Sequence, residues 1–438
     1  MSTLRYPTLD ALIAAQRRET VLNRRVKGMP GDMNDTVLSD IGLFGWNVFN
    51  EDLPLPVMVI KASALEGNIV AMQRWCDQRG VLLAPHGKTT MAPQIFQRQL
   101  EHGAWAISVA TPHQLQVCRD FGIQRLILAN QLVGDAALGF VCHELERDPA
   151  LELLLFVDSE ASVGLLDDAA RRYDLSRPVD VLLEIGYEKG RSGIRSLADA
   201  HYVANAVRLT CGRVRLRGVT AFEGLIHQHN NSGDGRSDWR ELVDSYLADV
   251  ADVIDDLAQR DVLPVDFIIS AGGSAAFDHV VRAFGDRWPE RAQIVLRSGC
   301  YVTHDHGLYA HASPLAHDDG SRGLVPALEL WSYVHSRPEP RLALLTVGRR
   351  DAPDDSGLPI PLGLAPRGTL TMDALEGCAV TTLNDHHAYM SIGPGVEVNV
   401  GDRVVLGISH PCTAFDKWRV VPVVDDAGTV IDAVVTYF

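Results

Sequence analysis

The stretch Pro85-His86-Gly87-Lys88-Thr89-Thr90 places a primary amine directly after a short apolar run at residues 82–84. A lysine emerging from a buried strand sheds water, and desolvation favours the neutral amine that condenses with an aldehyde. The same lysine could equally be a solvated loop residue or half of a structural ion pair, so position alone leaves both readings open. Two glycine-bearing stretches lie far downstream, Ser270-Ala271-Gly272-Gly273-Ser274 and Ser298-Gly299-Cys300-Tyr301. Glycines let backbone N–H groups approach an anion closely, as a phosphate cradle requires; a Gly-Gly pair also commonly makes no more than a tight turn. Arg191 stands in the basic loop Gly186-Tyr187-Glu188-Lys189-Gly190-Arg191-Ser192-Gly193. A guanidinium beside a pyridine nitrogen keeps that nitrogen unprotonated, because it almost never gives up its own proton. Without a ring to face, the same residue reads as a surface arginine. Near the end, Ser409-His410-Pro411-Cys412-Thr413 sets an imidazole and a thiol in one turn. That pair suits zinc and leaves coordination positions open, or is a loop histidine beside a buried free cysteine.

These residues need elements to position them. From about residue 56 the chain alternates short apolar runs (82–84, 105–110, 125–129, 151–157, 179–185, 214–221, 267–270 and 294–297) with amphipathic stretches at 92–102, 113–121, 162–173, 196–210 and 239–260. Continuous apolar strands separated by helices predict βαβ units whose sheet is buried on both faces. Eight of them in about 250 residues match the arithmetic of a (β/α)8 TIM barrel, with a doubly wound open sheet as runner-up. In such a barrel the loops after the strands build the site. Those loops also hold Thr111, Asn130-Gln131, Asp158 and Phe222-Glu223-Gly224, with His227 and His229 close behind. A phosphate cradle after the seventh strand, opposite a lysine after the first, suggests pyridoxal phosphate lying across the mouth. After about Gly320 helical periodicity fades. Short runs at 327–334, 342–347, 379–382, 403–406 and 420–424, broken by Gly, Pro and Asp, predict an all-β domain. The expected organisation is an extension over residues 1–50, helical near 8–18, then the barrel over 51–318 and the β domain over 319–438.

The composition bounds the partners. A net charge of −16 argues against a general nucleic-acid footprint and requires an anionic cofactor to find its positive charge locally. No window approaches 18 consecutive apolar residues, and the first 25 lack the basic start and apolar run of a secretory signal. Seven scattered cysteines, an odd number, predict free thiols in a reducing cytoplasm.

Taken in order, Pro85-His86-Gly87-Lys88-Thr89, the Arg191 loop, Ser270–Ser274 and Gly299–Tyr301 resemble the alanine-racemase-like, fold-type III pyridoxal-phosphate enzymes. More narrowly they are similar to the D-serine dehydratase and D-threonine aldolase group, over roughly residues 54–425. The resemblance implies that Lys88 holds the coenzyme and Arg191 faces its ring, with Gly272, Gly273, Ser274, Gly299 and Tyr301 serving it. It implies a divalent metal on His410 and Cys412, zinc with manganese as the alternative, and a homodimer. It also implies a site role for His387 in Asp385-His386-His387-Ala388, where relatives carry an acidic pair followed by His-Gly. Thr90 and Phe222 depart from the group, where histidine and tyrosine are usual, which puts the substrate in doubt more than the coenzyme.

The activity so implied acts on a small-molecule substrate, a D-3-hydroxy amino acid such as D-serine or D-threonine. Lys88 removes the Cα proton, the metal assists departure of the β-hydroxyl, and a 2-oxo acid and ammonia result. The close alternative is retro-aldol cleavage to glycine and an aldehyde; Cys412 favours elimination, because aldolases of the group more often place Asp there. A racemase needs a second base, and a coenzyme-binding protein without turnover is usually a lone barrel.

Overall fold

The computed structural model describes residues 7–226, 238–316 and 323–438. Two compact units account for them: residues 73–88 with 99–299, and residues up to 72 with 89–98 and 300–438.

The first unit holds eight parallel strands: β1 (Leu82–Leu83), β2 (Ile107–Val109), β3 (Arg125–Gln131), β4 (Glu152–Val157), β5 (Val179–Ile185), β6 (Val214–Ala221), β7 (Phe267–Ala271) and β8 (Ala292–Leu296). They pair in the order β1-β8-β7-β6-β5-β4-β3-β2. Two bonds close the ring between β1 and β2: Trp105 N–H donates to Leu83 O at 2.7 Å, and Ser108 N–H donates to Pro85 O at 2.9 Å. An open sheet has no such closure. The strands read as unbroken apolar runs because they are covered on both faces. Inside, Ala84, Ala106, Ile127, Ala129, Leu154, Phe156, Leu182, Ile268 and Val295 fill the barrel as one cluster. Small alanines beside the bulkier Phe156 suit the narrow interior of an eight-stranded ring.

The helices between the strands begin where their sequences supply caps. Thr111, Ser159, Ser196 and Asp238 each accept a first-turn N–H at the start of Pro112–Asp120, Glu160–Arg172, Leu197–Leu209 and Trp239–Gln259. A buried ion cluster then clamps neighbours. Arg119 Nε donates to Glu144 at 2.8 Å, Nη2 to Asp148 at 2.7 Å, and Nη1 to Ile123 O at 2.8 Å. All three charged side chains are almost fully buried. Arg119→Ala leaves buried Asp148 without its cation and Glu144 with only the more exposed Arg147, and should cost about 3–5 kcal/mol of stability. Urea titration measures it; a loss below about 1 kcal/mol contradicts the burial argument.

The second unit is a mixed sheet. Its strands are β9 (Leu328–Glu339), β10 (Leu342–Leu345), β11 (Ile360–Ala365), β12 (Ala379–Leu383), β13 (Ala388–Ser391), β14 (Arg403–Gly407), β15 (Val420–Val424) and β16 (Val430–Val435). Here the structure departs from the linear reading. The early strand Val57–Lys61 lies between β9, antiparallel, and β15, parallel, so it completes the β unit instead of opening the barrel. Its continuous apolar burial gives the same local pattern as a barrel strand. The N-terminal helix Leu9–Glu19 belongs to this unit as well, held by Arg17 to Asp432 at 2.7 Å.

Burial pushes His304 and His306 down to about 4, and the intervening Asp305 up to about 6. As pH falls below the ordinary histidine value, the unfolded chain binds two protons that the folded chain refuses, so stability drops. Asp305 acts in the opposite sense over the lower part of that range and offsets one of the two. Urea midpoints should therefore be lower at about pH 5 than at about pH 7, and His306→Asn should flatten the slope by up to about 1.4 kcal/mol per pH unit. An unchanged slope contradicts this.

Candidate active site

Lys88 is half-buried in the 3-10 turn Gly87–Thr89, just past the C-terminal end of β1. His86, two residues earlier, is a parallel bridge partner of Ser108 in β2. Burial holds the His86 imidazole well below its usual pKa, and the charges of Lys88, Arg297 and Arg191 push the same way. Three cations thus act on one imidazole in a chain whose net charge is −16. This is the local positive field that an anionic cofactor needs.

Arg297, not singled out by sequence, follows β8 and is 6% exposed. Its Nη2 donates to Ala221 O at the end of β6 at 2.6 Å, and its guanidinium lies 5.2 Å from the Phe156 ring. Burial works against its charge, and Glu223 and Glu184 support it. Arg191 is set by its loop: Arg195 donates to the carbonyls of Arg191 and Ser192 at 2.8 and 2.9 Å, and Asp158 accepts from Gly193 N–H at 3.1 Å. The Arg191 guanidinium sits 5.1 Å from the Phe222 ring.

Gly272 has φ +89°, and a Cβ there would stand 2.6 Å from Leu296 Cδ2, so only glycine fits. The N–H groups of Gly272 and Gly273 donate to the carboxylate of Glu223 at 3.3 and 2.5 Å. Burial pushes Glu223 upward in pKa against those bonds. The two N–H groups expected at a phosphate therefore have a protein acceptor, and a phosphate at this loop must share them with Glu223. Ser274 is buried next to Gly273, and Gly299 is buried after β8. Other polar residues after the strands serve structure. Thr111 caps a helix, Asn130 donates to Ala110 O at 3.0 Å, and Gln131 donates to Glu184 at 2.5 Å. His227 and His229 lie outside the described residues.

Pyridoxal phosphate fits this mouth by an independent test. Among the described residues fifteen buried side-chain polar atoms have no hydrogen-bond partner, and five of them are His86 Nδ1, Tyr187 Oη, Ser192 Oγ, Ser270 Oγ and Arg297 Nε. Each of the five lies at or just after the C-terminal end of a barrel strand. Leaving such atoms unpaired is costly, so a polar ligand held by the loops after the strands would satisfy these five.

The second unit carries a metal-type group. Ligand atoms of Cys300, His410 and Cys412 lie within 4.8 Å of one another, and the two sulfurs are 3.3 Å apart. Thr89 Oγ1 lies 3.4 Å from Cys412 Sγ. His410 Nδ1 bonds Asp355 Oδ2 at 2.7 Å, and Thr413 Oγ1 donates to the other carboxylate oxygen at 2.7 Å. A carboxylate on one ring nitrogen fixes the imidazole and gives the ligating role to the other, Nε2. Burial works to lower His410, but its bonds to Asp355 and Cys412 push it up to about 10. Hydrogen bonds from Cys300, His410 and Thr89 hold the Cys412 thiol well below its usual range, while Cys300 is pushed up. Imidazole and thiolate donors with a carboxylate behind them fit a soft divalent ion.

His410 and Cys412 were legible as a pair; Cys300 and Asp355 were not, being distant in sequence. Tyr301 is buried in the turn Cys300–Val302. His387 precedes β13, half-buried, with its ring 5.0 Å from that of His335. It is not one of the three residues of the metal-type group.

Against known proteins, the alanine racemase N-terminal domain matches residues 60–283, just over half the chain. The chain belongs to this family. Within this alanine-racemase-like, fold-type III pyridoxal-phosphate family, a putative serine dehydratase domain matches residues 327–424, the part that holds β9 to β15. A D-threonine aldolase from Arthrobacter sp. is 26% identical over 381 residues, covering 86% of this chain and 90% of that protein. The solved D-threonine aldolase from Filomicrobium marinum superposes with TM-score 0.73 at 21% identity, covering 90% of this chain and 97% of that one. D-threo-3-hydroxyaspartate dehydratase from Delftia sp. gives 0.69 at 19% identity, covering 89% and 99%. These superpositions establish the barrel followed by a β domain. No helix among the described residues is long and apolar enough to cross a membrane.

Proposed function

We propose that the chain is a pyridoxal-phosphate- and metal-dependent lyase that eliminates the β-hydroxyl of a D-3-hydroxy amino acid such as D-serine or D-threonine, giving a 2-oxo acid and ammonia. The observation that carries elimination is the thiolate-bearing ligand group, with Cys412 3.3 Å from Cys300 and His410 oriented by Asp355. Pyridoxal phosphate, when bound, withdraws electrons from the substrate Cα and acidifies its proton. Lys88 is the attachment point and, once displaced by the substrate amine, the base that takes that proton at Nζ. Arg191, steadied by Arg195 and Asp158, faces the ring. Ser274, Gly299 and Tyr301, with the shared N–H groups of Gly272 and Gly273, hold the phosphate. Arg297 and Lys88 supply positive charge, and buried neutral His86 donates or accepts without adding more. His410 and Cys412 would hold a divalent ion, zinc or alternatively manganese, whose Lewis acidity improves hydroxide as a leaving group. His387, in the stretch Asp385-His386-His387-Ala388, is the further candidate catalytic residue that the resemblance implies.

The 26% identity to a D-threonine aldolase favours a second reading, in which the same residues serve retro-aldol cleavage. D-Threonine separates the two. Elimination gives 2-oxobutanoate and ammonia; glycine and acetaldehyde in their place overturn the dehydratase reading and leave the coenzyme site standing.

A further inference from the structure

We propose that Cys300 is a third protein ligand of the metal, so that the ion is held by one imidazole and two thiolates with a single position left for substrate oxygen. This rests on the metal-dependent reading above and deepens it. The resemblance assigns only the His410–Cys412 pair. The geometry adds Cys300: its sulfur is 3.3 Å from that of Cys412, and its ligand atom lies within 4.8 Å of His410's. Two thiolates at about 2.3 Å from one tetrahedral ion stand about 3.8 Å apart, so the observed spacing needs an adjustment of about half an ångström. A disulfide would need the sulfurs to close to about 2.05 Å, a larger movement. Both sulfurs sit in sheltered surroundings, Cys300 5% exposed. Three protein ligands with one open position is the arrangement of catalytic zinc, whereas a two-ligand site leaves several positions to water. A second thiolate also softens the donor set and selects zinc over manganese.

The test is X-ray absorption at the zinc edge of the zinc-loaded holoenzyme, beside chelator competition, with wild type and Cys300→Ser compared. The visible absorbance of the coenzyme reports that each protein is intact. The expected result is two sulfur scatterers in wild type and one in Cys300→Ser. Zinc affinity should fall by more than the roughly 10–100-fold that loss of an outer partner costs. Cobalt substitution should show the same halving in its sulfur charge-transfer absorbance. One stoichiometric zinc with a single sulfur in wild type, or a Cys300→Ser protein with unchanged sulfur count and affinity, overturns the inference and spares the metal-dependent reading. A wild-type holoenzyme that takes up no stoichiometric zinc overturns both.

Discussion

Lys88→Ala is expected to lower turnover by about 10³-fold or more, near the upper end of what a positioned base contributes, because it removes the coenzyme's anchor and the base at once. The half-buried side chain follows β1 on a short turn, and truncation adds no charge. Folding should be intact: the cluster that fills the barrel lies among the strands and does not include residue 88. Two readouts separate the lost functions. The visible absorbance of a covalently attached coenzyme should vanish, while weak noncovalent binding of pyridoxal phosphate persists through the Arg191 and Arg297 field. Lys88→Arg keeps the charge but cannot form the attachment, and should be as inactive as alanine. Retention of more than about a tenth of wild-type turnover in either variant is incompatible with the assigned role.

The second large effect is expected at His410. His410→Ala removes the imidazole from the ligand group and leaves Asp355 with its bond from Thr413 alone. Metal content should fall to background, and turnover of D-serine or D-threonine should drop by about 10²-fold or more, as removal of a principal electrophile does. Coenzyme absorbance should survive, which distinguishes this variant from the lysine ones. Chelation of the parent should reproduce the loss, and added zinc should restore the parent but not the variant. Asp355→Asn keeps the ligand and removes only its orienting charge, so the expected loss in metal affinity is about 10–100-fold. Full activity after exhaustive chelation contradicts the metal's role and favours a racemase.

Much of this molecule could be read from its residues, for identifiable physical reasons. The eight barrel strands stand out because parallel strands covered on both faces must be apolar throughout, and the helix starts carry Thr, Ser or Asp caps. The strand Val57–Lys61 shares that unbroken apolar pattern. What assigns it to the other sheet is pairing with strands more than 260 residues downstream, which no local pattern encodes. β11 was missed because its Pro361 and Gly363 read as turn residues. At the site, Lys88 and the His410–Cys412 turn are local motifs and therefore visible. Cys300 joins Cys412 across 112 residues, and Asp355 joins His410 across 55. Glu223 looks like an ordinary loop carboxylate in sequence, whereas the fold buries it completely on the N–H groups of Gly272 and Gly273.

The proposed chemistry requires a covalent link at Lys88 Nζ. Reducing the purified yellow protein with borohydride, digesting it and mapping the modified peptide tests that link directly. The expected product is a single phosphopyridoxyl group on the peptide containing Pro85-His86-Gly87-Lys88. A label on another lysine, or a colourless protein that takes up no pyridoxal phosphate on reconstitution, contradicts it.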